Sequence, residues 1–152
     1  MLLPPRKQAI LERLYAWYGR RLLRSSFARL WIHGAMPNGT QPLIAVANHS
    51  GWWDPIVAVY LSHEPFRRDQ YGIMEGKQLL RYPFFRRVGG FGVTGPGPTE
   101  TRALVDLAAR VLETGSNRML WVFPQGALLP AGAGLRFMSG AARLARRCTD
   151  AV

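Results

Sequence analysis

The sequence predicts an α/β domain, a layered mixed sheet flanked by helices and preceded by an amphipathic helix. Three observations lead there. Short apolar runs of strand length, at 43–47, 70–74 and 119–123, alternate with helical periodicities at 56–61, 100–112 and 137–147. Clusters of Gly, Pro, Asn and Ser separate these runs, with no internal repeat and no low-complexity tract. And 152 residues at 48% hydrophobic content are enough for one buried core and too apolar for a disordered chain.

Residues 5–24 have the spacing of a helix. Ile10, Leu11, Leu14, Trp17, Tyr18 and Leu22 share one broad face, and Arg6, Lys7, Arg13, Arg20, Arg21 and Arg24 populate the rest. A basic amphipathic helix with interfacial aromatics suits a segment lying in a membrane surface. A helix docked on its own domain with solvated arginines shows the same pattern, so periodicity leaves both open. Gly19 is placed to bend or end it. The chain is divided accordingly into a docking helix, 1–26, and an α/β domain, 27–152.

Phe27 to His33 alternates like a strand, with Phe27, Arg29, Trp31 and His33 on one face. Pro37-Asn38-Gly39-Thr40 is a turn signal, so an antiparallel pair with the buried run at Leu43–Ala47 is expected. Ile56 to Leu61 reads as a helix begun by Asp54 as cap and Pro55 at its first position, and closed by His63-Glu64-Pro65. Gln70–Met74 is a weaker strand, and Glu75–Leu80 a short helix stopped before Pro83. Phe84–Val88 leads to Gly89–Thr94. After the loop Gly95–Pro98, Thr99 is expected to cap a helix from Glu100 to Leu112, ended by Gly115-Ser116-Asn117. Met119–Phe123 is the clearest buried strand; Ala127–Leu135 is a Gly/Pro/Ala loop, and Phe137–Arg147 a last amphipathic helix with Ala141, Leu144, Ala145 and Cys148 on one side. Thr149–Val152 looks like the exit into one more strand, as if the chain were truncated there.

Composition narrows the partners. The formal charge is +11, almost all of it arginine, with Lys7 and Lys77 the two lysines. Arginine captures phosphate in a bidentate manner, so nucleic acid, an anionic membrane and phosphorylated ligands all remain admissible on charge. No zinc spacing, RNP-like motif or helix-turn-helix pattern accompanies that charge, which argues against nucleic acid. No apolar run approaches the roughly 18 residues that span a bilayer. The N-terminus lacks the pattern of a secretory signal. The single cysteine, Cys148, excludes an internal disulfide framework and suits a reducing cytoplasm. His33, His49, His63 and Cys148 are scattered without the paired spacing zinc requires, so no metal site is expected.

The chemistry concentrates in Asn48-His49-Ser50-Gly51-Trp52-Trp53-Asp54-Pro55, between a buried strand and a helix. A neutral imidazole takes a proton from a hydroxyl near pH 7, and a nearby carboxylate fixes its tautomer and stabilises the imidazolium. A surface histidine beside a capping aspartate has the same two letters. The flanking residues change the weight. Asn48-His49-Ser50 with Asp54-Pro55, then Lys77-Gln78-Leu79 with Pro83-Phe84-Phe85, then Gly90 to Thr94, then Phe123-Pro124-Gln125-Gly126, stand in the order and rough spacing of four blocks. In these, the chain resembles the PlsC-type lysophospholipid acyltransferases.

The resemblance implies a glycerol-3-phosphate acyltransferase-like fold. It implies transfer of a fatty acyl group from acyl-CoA or acyl-carrier protein, as co-substrate and without a cofactor, to a lipid hydroxyl. His49 would be the general base and Asp54 its partner, with Asn48, Ser50, Lys77, Thr94, Pro124, Gln125 and Gly126 lining the substrate. The setting would be peripheral, on anionic lipid at the inner face of the cell membrane. Three positions depart from the family pattern: Gln125 stands for its glutamate, Ala127 for its threonine, and Gly95 for a phosphate-binding arginine, with Arg86, Arg87 and Arg102 as candidate substitutes. These departures favour a less charged acceptor such as a glycolipid, or a relative that binds lipid without turnover.

Overall fold

The computed structural model describes residues 1–35, 37, 39–95, 97–130, 132–134 and 136–148. In chain order the elements are β1 (Leu2–Leu3), α1 (Ala9–Ser26), β2 (Leu43–Val46), α2 (Asp54–His63), β3 (Asp69–Ile73), α3 (Gly76–Arg81), α4 (Phe84–Arg87), β4 (Gly90–Val93), α5 (Pro98–Glu113), β5 (Arg118–Val122) and α6 (Gly140–Arg147).

The strands form one sheet in the order β1-β4-β3-β5-β2. β2, β5, β3 and β4 are mutually parallel, and β1 pairs antiparallel with β4 at one edge. The mixed α/β class is therefore correct. The four parallel strands all end on one rim, where ligands collect in open α/β sheets. The β2-to-β3 and β4-to-β5 crossovers run in opposite directions along the sheet. Right-handed connection then puts α2, with α1 behind it, on one face and α5, with α6, on the other. The second face holds the main core: Phe91, Ala108, Leu112, Leu120 and Leu144 are fully enclosed, and Cys148 joins them.

Several sequence expectations are corrected. Phe27–His33 is not a strand; residues 27–35 are all exposed coil, and β2 pairs in parallel with β5 instead. Neither face of that alternation gains burial, and Phe27 is drawn edge-on to Trp53, centroids 4.8 Å apart. α1 begins at Ala9 rather than Pro5, because Leu2–Leu3 lies along β4. α5 begins at Pro98, whose fixed φ suits the first helical position, so Thr99 is inside the helix and caps nothing. α6 starts at Gly140, since Met138 N–H is held by the Pro124 carbonyl at 2.8 Å. Asn38 of the expected turn, Pro96, Ala131, Leu135 and the strand expected at Thr149–Val152 lie outside the described residues.

α1 runs straight through Gly19, where a Cβ would stand 3.2 Å from Ile56 Cγ2. Glycine here sets the close approach of α1 to α2. The line that docks is Glu12, Gly19 and Leu23. Ile10, Leu14, Trp17 and Tyr18, from the apolar face, are 52–74% exposed.

The N-terminal rim of the sheet is closed by charge. Lys7 Nζ bonds the Asp69 carboxylate and, at 2.8 Å each, the Gln70 carbonyl and Glu12 Oε1. Arg118 Nε is 3.6 Å from Asp69, and Lys7 and Arg118 both lie against the Tyr71 ring. Buried His63 Nε2 stands 3.3 Å from Glu12 Oε1 without the geometry of a hydrogen bond. Burial pushes the Glu12 carboxyl up, but His63 and Lys7 together hold it below the ordinary range.

Candidate active site

Register places the site before any side chain is considered. β2 and β5 pair with Val46 opposite Val122, so His49 and Gln125 each stand three residues beyond that last pair, on the same rim. The turn after β2 is built by Asp54. It is the first residue of α2, not its cap, and its carboxylate points back along the chain. Oδ2 accepts the Ser50 N–H at 2.8 Å, the Gly51 N–H at 3.0 Å and His49 Nδ1 at 2.7 Å. The carboxylate thus shapes the turn and orients the ring in one arrangement.

A carboxylate offers only lone pairs, so His49 Nδ1 carries the proton and Nε2 keeps its lone pair. Nε2 has no partner among the described residues and is not sealed in; the side chain is 26% exposed. Partial burial raises the Asp54 carboxyl, but the Gly51 N–H, His49 and the Ser50 N–H outweigh this and hold it below the usual carboxylate range. The His49 ring rests on Phe123, centroids 4.8 Å apart. The arrangement is one that can serve as a base, with a fixed tautomer and an open nitrogen.

The second half comes from β5. Phe123-Pro124-Gln125-Gly126 turns sharply, with Gly126 N–H on the Phe123 carbonyl at 3.1 Å and Gly126 at φ +68°, a conformation that favours glycine. Gln125 Oε1 accepts the His49 backbone N–H. The 127–139 loop is stitched to both turns, Leu129 N–H reaching the His49 carbonyl at 3.0 Å and Met138 N–H the Pro124 carbonyl. Exposed Trp52, Leu128, Phe137 and Met138 make this part of the rim apolar.

Residues 25–152 match the acyltransferase family model, which covers most of the chain and the whole of this rim. The chain belongs to the acyltransferase family. Its fold is similar to the crystal structure of the 1-acyl-sn-glycerophosphate (LPA) acyltransferase PlsC from Thermotoga maritima, with a TM-score of 0.63 at 20% identity. The match covers 90% of this chain and 53% of that one, so the protein spans about half the length of its structural counterpart. No curated protein matches it.

The rim gathers the expected residues unequally. Asn48, His49, Ser50, Asp54, Pro124, Gln125 and Gly126 come together on β2 and β5, with Asn48 and Ser50 exposed. Lys77 and Thr94 come together elsewhere. Gly76 lies so close to Val93 that a Cβ would clash with its backbone, which brings the start of α3 onto the end of β4. That point is three strand spacings from β2, about 14 Å along the rim. Lys77 is exposed, and Thr94 Oγ1 bonds the Met1 carbonyl at 3.3 Å. Arg86 and Arg87 do not stand in for the missing arginine. They precede β4 at the opposite rim, Arg86 Nε bonding the Pro4 carbonyl at 2.9 Å. Arg102, exposed on the first turns of α5, is on the correct side.

Sequence reading missed three contributors: Phe123 as the floor of His49, Leu129 as its backbone partner, and the Phe27–Trp53 contact behind the turn. Phe123 had a signal, being next to Pro124-Gln125-Gly126. The other two depend on long-range packing.

Proposed function

We propose that this acyltransferase moves a fatty acyl group from acyl-CoA or acyl-carrier protein to the hydroxyl of a lysophospholipid or related lipid. The observation that carries this reading is His49, with Nδ1 held by Asp54 and Nε2 open at the sheet rim. Nε2 takes the proton of the acceptor hydroxyl as its oxygen attacks the thioester carbonyl. The tetrahedral intermediate collapses, breaking the C–S bond, and His49 returns the proton to the leaving thiolate. The products are an ester and a free thiol. A thioester is already activated, so direct transfer needs no enzyme nucleophile, only a base, a positioned hydroxyl and donors for the oxyanion.

The setting proposed is an anionic membrane surface, on its cytoplasmic side. The outward apolar side chains of α1 support it, as does the +11 charge. A depression of about 610 Å³ along α1, lined by Trp17, Arg20, Arg21, Arg24 and Ser25, suits lipid phosphates at the same surface. No helix among the described residues is long and apolar enough to cross a membrane.

A less charged acceptor, such as a glycolipid, is a second reading: Gly95 stands where an arginine is expected and Arg86 and Arg87 are at the other rim, which leaves Lys77 and Arg102 as the cations near the end of β4. The test offers a labelled acyl thioester with lysophosphatidate and, separately, a neutral glycolipid. Transfer into either lipid by the folded protein is expected, and the ratio names the acceptor. A folded protein that binds vesicles but esterifies neither lipid would overturn catalysis and leave a lipid-binding relative.

A further inference from the structure

Arg20, Arg21 and Arg24 line the depression of about 610 Å³ on α1, together with Trp17 and Ser25. The spacing 17, 20, 21, 24 puts these side chains on one helix face, turned away from the Glu12, Gly19 and Leu23 line that docks on α2. Arg20 is held in place, its Nη1 donating to Glu64 Oε1 at 2.6 Å. The Nε–Nη2 edge of the same guanidinium has no partner among the described residues, and Nε is enclosed. Enclosed donors in folded proteins are paired, so this one calls for an oxygen from water or from a ligand. Two parallel N–H groups on one edge match two oxygens of a phosphate, and exposed Arg21 and Arg24 add two further cations beside it.

Phosphate here has two sources, a membrane lipid or the acyl donor, and position favours the donor. Phe27, one turn beyond Arg24, packs edge-on against Trp53 in the turn that carries His49 and Asp54. From there the depression runs back along α1 to Trp17, ten residues or about 15 Å from Phe27. The phosphate of a lysophospholipid acceptor is only a few bonds from the hydroxyl that must reach His49 Nε2, so it stays at the rim. In acyl-CoA the thioester and the phosphates stand at opposite ends of a pantetheine arm, which can bridge from the rim to the groove. Its far end also carries an adenine, whose flat face suits the exposed Trp17 ring. We propose that this groove binds the 3′-phosphorylated ADP of acyl-CoA, with Arg20, Arg21 and Arg24 on its phosphates and Trp17 against its adenine. The proposal rests on the acyl-transfer reading above and names the donor for it.

Arg21→Gln combined with Arg24→Gln removes two charges from exposed positions and leaves the Arg20–Glu64 tie intact; a thermal melt checks the fold. Arg143→Gln with Arg146→Gln, on the exposed side of α6, is the charge-matched control. Calorimetric binding of adenosine 3′,5′-bisphosphate should weaken about ten-fold or more in the α1 variant and stay within about two-fold in the control. KM for acyl-CoA should rise by a similar factor, while KM for the same acyl group on free pantetheine, which has no phosphate, stays within about two-fold. Bisphosphate binding that depends on Arg21 and Arg24 upholds the groove even if wild type transfers no acyl group, an outcome that would sink the catalytic reading alone. No bisphosphate binding by wild type, or equal losses in the two double variants, would overturn the proposal. So would an α1 variant that loses binding to anionic vesicles but keeps its affinity for the bisphosphate, since the groove would then serve lipid headgroups.

Discussion

The molecule holds two histidine–carboxylate pairs, one at each rim of the sheet, and they are built to opposite ends. At the C-terminal rim His49 and Asp54 are five residues apart, the contact uses Nδ1, and Nε2 is open. At the N-terminal rim His63 and Glu12 are brought together by the packing of α1 on α2. There the contact uses Nε2 itself, which is buried, and Lys7 already occupies the same carboxylate oxygen. Both pairs join an imidazole to a carboxylate whose pKa is lowered. What separates the two is their setting: His49 stands beside Gln125 where the parallel strands end, whereas Glu12 is shared between His63 and Lys7 in a charge cluster at the other rim.

Substitutions can break or sharpen that contrast. The largest effect is expected at Asp54. Asp54→Asn retains an oxygen for the turn but loses the charge behind His49, so turnover should fall about 10²–10⁴-fold with the fold intact. Steady-state kinetics beside a thermal melt check this, and full turnover would mean that Asp54 serves the turn alone. Next is Glu12→Leu, which strips Lys7 and His63 of a buried partner. It should cost about 2–3 kcal/mol in denaturant unfolding while turnover per folded molecule stays unchanged. Loss of turnover without loss of stability there would erase the distinction between the rims. Smaller again, replacing Ile10, Leu14 and Trp17 together by Ser should weaken binding to anionic vesicles about ten-fold without lowering the melting temperature. These three side chains already face solvent. Deleting α1 would not serve, because Leu2–Leu3, Glu12 and Leu23 belong to the packed structure.

The smallest effect is in pH. Asp54 is depressed in the folded state, so its contribution to stability is complete above the ordinary carboxylate pKa, about 4, and is lost as pH falls through the lower folded value. The stability gap between wild type and Asp54→Asn should therefore close below about pH 4 in acid unfolding. A gap that persists unchanged into stronger acid would contradict the lowered carboxyl.

The residues that were legible in the sequence are those whose structure is local. β2, β3 and β5 are short apolar runs bounded by turn residues, and each was placed to within a residue or so. The His49–Asp54 pair spans one turn, so its composition nearly determines its geometry. Elsewhere the determinants are distant. The two residues of β1 have no periodicity to read; they form a strand only because Gly92 and Val93 offer a free edge. Phe27–His33 alternates correctly but gains no one-sided burial, and Phe27 prefers Trp53. For α1 the apolar stripe was visible, yet burial follows Gly19, the position that lets two helices approach. The direction of the Gln125 amide needed a backbone N–H from another strand's turn.

The most direct measurement sets the two rims against each other: acyl transfer from a labelled thioester by His49→Ala and His63→Ala, per folded molecule. With Nε2 of His49 as the base, His49→Ala should lose about 10³-fold or more while His63→Ala stays within a few-fold of wild type. Equal losses, or a His49→Ala protein that turns over like wild type, would contradict the account.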